Sequence, residues 1–210
     1  METKLILAAC CLLVMLAGGA LYMKTYRREG KSKKALALKG GTTLIAALPA
    51  LFAARGGDGS ALWILFGIAL CALADVVLEL HFQGGMLAFA LGHVCYVVAF
   101  LSVGGVGAVN WAGWALLSAF TVFYIKTVAK GSREPLLPFL LYGVMISAML
   151  ASSLGCGPLA ATGALLFVVS DSTLLYGLVR EKKKGHDLAV MLTYWGAQYL
   201  IGLSALARAL

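Results

Sequence analysis

The sequence predicts an all-α polytopic membrane protein, a bundle of eight transmembrane helices. Of its 210 residues 61% are hydrophobic and 12% charged, about half the charged share of a water-soluble domain. The apolar residues fall into eight runs, each near the roughly 20 residues a helix needs to cross a bilayer. Short polar or glycine-rich breaks separate the runs. The net charge of +8 raises nucleic acid as a partner, but the basic residues stand in short clusters beside apolar segments. That placement suits lipid headgroups and topology signals and argues against nucleic acid.

The spans are expected at Leu5 to Met23, Leu36 to Ala54, Ala61 to Leu80, Gly85 to Val103, Trp111 to Val128, Leu136 to Ser153, Leu159 to Val179 and Leu188 to Leu206. We treat residues 1–210 as one integral membrane domain. The first run has no basic segment before it beyond Lys4 and no clear small-x-small cleavage site, so it reads as a retained helix rather than a secretion signal. Arg55 to Ser60, Gly104 to Gly107 and Gly131 to Pro135 mark breaks. Pro135 and Pro158 suit the first turn of the helices that follow them. Pro49 lies inside the second span and should kink it by removing a backbone hydrogen bond. The five cysteines are odd in number and lack metal-ligand spacing, so they read as small core residues.

Charge sets the expected orientation. Fourteen of the 17 lysines and arginines lie in or beside the connections after the odd-numbered spans, against Lys4, Arg55 and Arg208 on the other side. The positive-inside rule puts the fourteen in the cytoplasm and, with an even number of spans, both termini outside. Short loops and the lack of targeting signals suggest a bacterial inner membrane.

Seven of the nine acidic residues fall in loops or at helix ends, leaving Asp75 and Asp171 within spans. A carboxylate at that depth is costly unless something pairs with it or protonates it, which makes each a functional-site candidate. Measured from the expected cytoplasmic ends at roughly 5.4 Å per turn, Lys39 lies about one turn in and Asp75 between one and two. His93, Tyr142, Asp171, Tyr194 and Gln198 lie about two to three turns in. Polar groups from several helices at one depth imply a shared polar cavity open to the cytoplasmic side. Asp75 and Glu79, Tyr194 and Gln198, and His93 and Tyr96 each share a helix face. The motif Gly67-x7-Asp75-x2-Leu78 recurs as Gly163-x7-Asp171-x2-Leu174, offset by 96 residues, and the arrangement is compatible with two parallel four-helix halves.

Ala74-Asp75 with Leu78, Gly92-His93 with Tyr96 and Phe100, Leu166-Phe167 with Ser170-Asp171, and Thr193-Tyr194 with Gln198 together resemble the YhhN-like family. The likeness runs from about the second span to the eighth. The characterised animal members of that family are lysoplasmalogenases, so the resemblance implies hydrolysis of the vinyl ether of a lysoplasmalogen to a fatty aldehyde and glycerophosphoethanolamine or glycerophosphocholine. Cleaving a vinyl ether requires protonation of an alkene carbon and capture of an oxocarbenium ion by water, a task for one acid and one anion. Asp75 and Asp171 are the expected catalytic pair, with Asp171 favoured as acid, Asp75 as base, or the two sharing a proton. His93, Tyr142, Ser170, Tyr194 and Gln198 are expected to orient water and substrate, and Lys39 to hold the phosphate.

Plainer readings stand beside these. The two aspartates would serve equally as interhelical ties, Asp75 to Lys39 among them, and His93 as a satisfied core histidine. Ser170 lacks the Gly-x-Ser-x-Gly elbow of a nucleophile and is expected to bond its own helix. No metal or other cofactor is expected, since His93 stands alone among the histidines inside a span and no phosphate-cradling loop occurs. The alternative function is a small proton-coupled or lipid transporter. The outer halves of the spans are almost wholly apolar, which favours a dead-end pocket over a transport path. The expected partners are the bilayer and a lysophospholipid.

Overall fold

The computed structural model describes residues 2–208. Its helices are α1 (Glu2–Glu29), α2 (Lys33–Ile45), α3 (Ala47–Arg55), α4 (Gly59–Leu80), α5 (Phe82–Gly104), α6 (Ala108–Val128), α7 (Leu136–Ser153), α8 (Pro158–Val179) and α9 (His186–Arg208), with a 3-10 turn at Leu154–Cys156. With α2 and α3 forming one span, Lys33–Arg55, eight helical segments among the described residues are long and apolar enough to cross a membrane. The expected helical bundle is the observed fold. Its first helix continues six residues beyond the expected end, so Lys24, Arg27 and Arg28 ride on helix rather than loop.

Local chemistry explains the boundaries. Pro49 has no N–H to offer the carbonyl of Ile45, and the second span breaks at Ala46. There the Ala46 N–H turns back to the Thr43 carbonyl at 3.1 Å. Asp58 caps α4, its carboxylate accepting the N–H groups of Ser60 at 2.9 Å and Ala61 at 3.3 Å. Arg208 of α9 reaches the same carboxylate at 3.6 Å. Burial alone would raise the pKa of Asp58, but the Ser60 hydroxyl, the Arg208 guanidinium and the two N–H groups outweigh it and hold that pKa below the ordinary value. His81 alone joins α4 to α5, accepting the Gly84 N–H at its Nδ1.

In lipid the hydrophobic effect does not drive helices together, so close van der Waals packing over small residues must. A Cβ on Gly67 of α4 would stand 3.1 Å from the Gly92 carbonyl oxygen of α5. Gly163 of α8 lies as close to the Ala197 carbonyl oxygen of α9. The repeated glycines thus seat each aspartate-bearing helix on the helix that follows it. Gly202 of α9 meets the carbonyl of Ala46 at the break between α2 and α3, where a Cβ would be 2.1 Å from the oxygen. Helix α6 packs chiefly on α7. It buries only Ile125 and leaves Leu116, Phe120 and Phe123 outward, as a lipid-facing helix does.

Candidate active site

A cavity of about 260 Å³ lies among the helices. Tyr22 of α1, Lys39 of α2, Asp75 of α4, Phe89 of α5, Tyr124 of α6, Tyr142 of α7, Asp171 of α8 and Tyr194 of α9 all line it. Its rim carries Lys31, Glu79, Lys182 and Asp187, and its walls are largely apolar. Of the polar residues expected at one depth, Lys39, Asp75, Tyr142, Asp171 and Tyr194 therefore meet in one space, although they come from five helices.

Asp75 is 1% exposed. Its Oδ2 accepts the Thr43 hydroxyl at 2.6 Å and the Tyr194 hydroxyl at 2.9 Å. Thr43 Oγ1 in turn accepts the indole N–H of Trp195 at 3.2 Å. The rings of Phe89 and Phe167 meet Tyr194 edge-on, fixing the phenol that reaches Asp75.

Asp171 is held differently. Its side chain is 19% exposed, and it accepts one hydrogen bond, from the Tyr142 hydroxyl. The same hydroxyl oxygen lies 2.8 Å from His93 Nε2. His93 is fully buried with its ring edge-on to Phe167, and its Nδ1 finds no partner among the described residues. Two carboxylates thus share one cavity, one bound by two donors and the other by a tyrosine shared with a histidine.

At the rim, Glu79 sits between two ammoniums, Lys39 Nζ at 2.9 Å and Lys31 Nζ at 3.0 Å. The ion-pair partner of Lys39 is therefore Glu79, one helical turn beyond Asp75. Hydrogen bonding to Glu79 raises the pKa of Lys31, which lies outside the spans. Lys182 pairs with Asp187 at 3.1 Å.

The remaining expected residues are dispersed. Ser170 lines the cavity, but its hydroxyl donates to the Val190 carbonyl of α9 at 3.1 Å and ties two helices rather than bonding its own. Gln198 is fully buried behind the cavity wall, its Oε1 accepting the Tyr96 hydroxyl at 2.6 Å. His93 reaches the site through Tyr142. Thr43, Trp195 and Tyr22 were not singled out from the sequence, nor was Glu79 as the partner of Lys39. The i, i+4 spacing of Asp75 and Glu79 was the available signal for the last. Among the described residues no three or more His, Cys, Asp and Glu side chains converge as a metal site would require.

Fold and cavity together define an integral membrane protein of many spans with two carboxylates lining one cavity between its helices. The YhhN family profile matches residues 34–205, and the chain belongs to the YhhN family. Among curated proteins it is similar to lysoplasmalogenase TMEM86B of Homo sapiens, 36% identical over 68% of this chain and 63% of the relative. It is 34% identical to lysoplasmalogenase TMEM86B of Mus musculus, over 70% of this chain and 66% of the relative. Lysoplasmalogenase TMEM86A of Bos taurus is 30% identical, over 70% and 66% of the two chains. The match therefore spans just under two thirds of the length of these relatives. No solved structure matches the chain.

Proposed function

We propose that this protein is an intramembrane lysoplasmalogenase, hydrolysing the vinyl ether of a lysoplasmalogen by acid-base catalysis between Asp171 and Asp75. One observation carries the reading: two carboxylates of unequal hydrogen bonding line a single, mostly apolar cavity. The names of the related proteins point to the same reaction.

The hydrogen-bond donors support the assignment of roles. Two hydroxyls donating to Asp75 favour its ionised form. Asp171 has one such donor, and that donor also borders His93, so a proton on Asp171 is accommodated by Asp171 donating to Tyr142 and Tyr142 to His93. Asp171 gives its proton to the alkene carbon beyond the ether-bearing carbon. The alkene electron pair forms the new C–H bond, and an oxygen lone pair makes the oxocarbenium ion, which Asp75 stabilises. Water adds to the cation as Asp75 takes its proton. The hemiacetal hydroxyl returns a proton to Asp171 as the bond to the glycerol oxygen breaks, that oxygen takes the proton held by Asp75, and fatty aldehyde departs. The two carboxyls end with the single proton they began with, and one water is consumed.

Lys39 and Lys31 would hold the lipid phosphate at the rim, with the apolar tail among Phe82, Met86 and Phe139. The positive-inside rule puts this rim on the cytoplasmic side, both termini outside, and the short loops suit a bacterial inner membrane.

The test is aldehyde release from a lysoplasmalogen by the purified protein in detergent, with Asp75→Asn and Asp171→Asn compared. Each variant should lose about 100-fold or more in kcat, the usual worth of a positioned acid or base. Full activity in both variants overturns the mechanism. No aldehyde from any vinyl-ether lipid with the unaltered protein overturns the activity.

A further inference from the structure

We propose that Thr43 and Trp195 are positioning residues that hold Asp75 as the anion of the carboxylate pair, through a hydroxyl whose direction the indole fixes. The proposal rests on the catalytic reading of Asp75 given above. An indole N–H only donates. With Trp195 donating to Thr43 Oγ1 at 3.2 Å, that oxygen is an acceptor there, and its single hydrogen must go elsewhere.

Two acceptors lie within reach: the Lys39 carbonyl one turn back at 3.3 Å and Asp75 Oδ2 at 2.6 Å. A threonine in a helix ordinarily bonds the carbonyl four residues earlier. Here that contact is the longer of the two, and the shorter is the length of a hydroxyl on a charged oxygen. Thr43 therefore spends its hydrogen on the carboxylate.

The indole is itself held in place. Tyr22 of α1 meets it edge-on, ring centroids 5.6 Å apart. Gly19 of α1 lies against the ring, where a Cβ would come within 2.7 Å. Helix α1 precedes residues 34–205, which the family profile matches, yet it braces the ring that orients the hydroxyl. The titratable groups facing Asp75 are Tyr22 of α1, Lys39 of α2, Cys71 and Glu79 of α4, Asp171 of α8 and Tyr194 of α9. Tyr194 also interacts with the Thr43 hydroxyl, but its own hydrogen goes to the same carboxylate oxygen, Asp75 Oδ2.

Three variants of the full chain test this. Thr43→Val keeps the shape and removes the donor, Thr43→Ser keeps the donor, and Trp195→Phe removes the indole N–H. We expect Thr43→Val to lower kcat about 10- to 100-fold with KM within about twofold, the worth of a hydrogen bond to a charged group. Thr43→Ser should recover to within about threefold of the unaltered protein, and Trp195→Phe should fall between.

Infrared difference spectra supply a readout that needs no turnover. The carboxylate band lost in Asp75→Asn marks ionised Asp75. It should weaken at neutral pH in Thr43→Val, weaken less in Trp195→Phe and persist in Thr43→Ser. A chain without vinyl-ether activity still answers through this band, so failure of the reaction and failure of the positioning are told apart. An unchanged band in Thr43→Val overturns the proposal, as does Thr43→Ser impaired as deeply as valine. If Thr43→Val does not fold, an unchanged band in Trp195→Phe overturns it.

Discussion

Tyr142 has one hydrogen and two neighbours able to accept it, Asp171 and His93. Removing that hydroxyl in Tyr142→Phe strips Asp171 of its donor and leaves His93 Nε2 buried without a partner. An unsatisfied buried group costs about 1–3 kcal/mol, so thermal unfolding in detergent should occur at lower temperature. Turnover should drop with KM little changed; unaltered turnover would remove Tyr142 from the site. At this scale the sequence was most legible where a residue was expensive. Asp75 and Asp171 stood out as carboxylates in apolar segments, and Tyr142 and Tyr194 through their depth. Thr43 did not, because a hydroxyl inside a helix can satisfy itself on its own backbone. Trp195 gave no signal either, since tryptophan in a membrane chain reads equally well as an interfacial anchor. Depth was readable for His93 and Gln198 but direction was not. In a helix apolar all round, the lipid-facing and protein-facing sides carry the same residue types, and both residues proved to lie behind the cavity wall.

Between elements, the decisive contact is the one at Gly202. The expected kink at Pro49 is a break three residues earlier, since the missing N–H frees the carbonyl of Ile45 and the turn forms around Ala46. The Ala46 carbonyl points at Gly202, and a methyl group there would lie 2.1 Å from the oxygen. Gly202→Ala should therefore destabilise the fold by about 1–3 kcal/mol, the usual cost of overpacking. It should also lower activity in the protein that remains folded, because α2 carries Thr43 and Lys39 into the site. A variant with unchanged unfolding temperature and turnover would show that the break yields freely. Helix identity was legible from hydrophobic length, but the rotation of each helix about its axis rests on glycine contacts that no periodicity records. The repeat was the partial exception: Gly67 and Gly163 mark the faces on which α4 and α8 meet their successors.

Across the whole molecule, charge asymmetry and cavity position agree. The rim residues Lys31 and Lys182 are more than half exposed and belong to the connections that hold most of the basic residues. A membrane-impermeant amine reagent applied to sealed right-side-out vesicles should spare both, and should reach them once the vesicles are permeabilised. Labelling in intact vesicles would reverse the orientation. The span count was legible because a bilayer sets helix length. The cavity followed from polar depth alone, while its lining required the three-dimensional pairing of eight helices.

The catalytic candidates lie between membrane-crossing helices, in a space whose walls are mostly hydrocarbon and aromatic. For the lipid substrate proposed above, what fills such a space is governed by how many substrate molecules occupy a unit area of bilayer, not by how many occupy a litre of water. Saturation then becomes a property of membrane composition, set by the mole fraction of substrate among the surrounding lipids. The same number of substrate molecules spread through more inert phospholipid fills the cavity less often, with every residue of the protein unchanged.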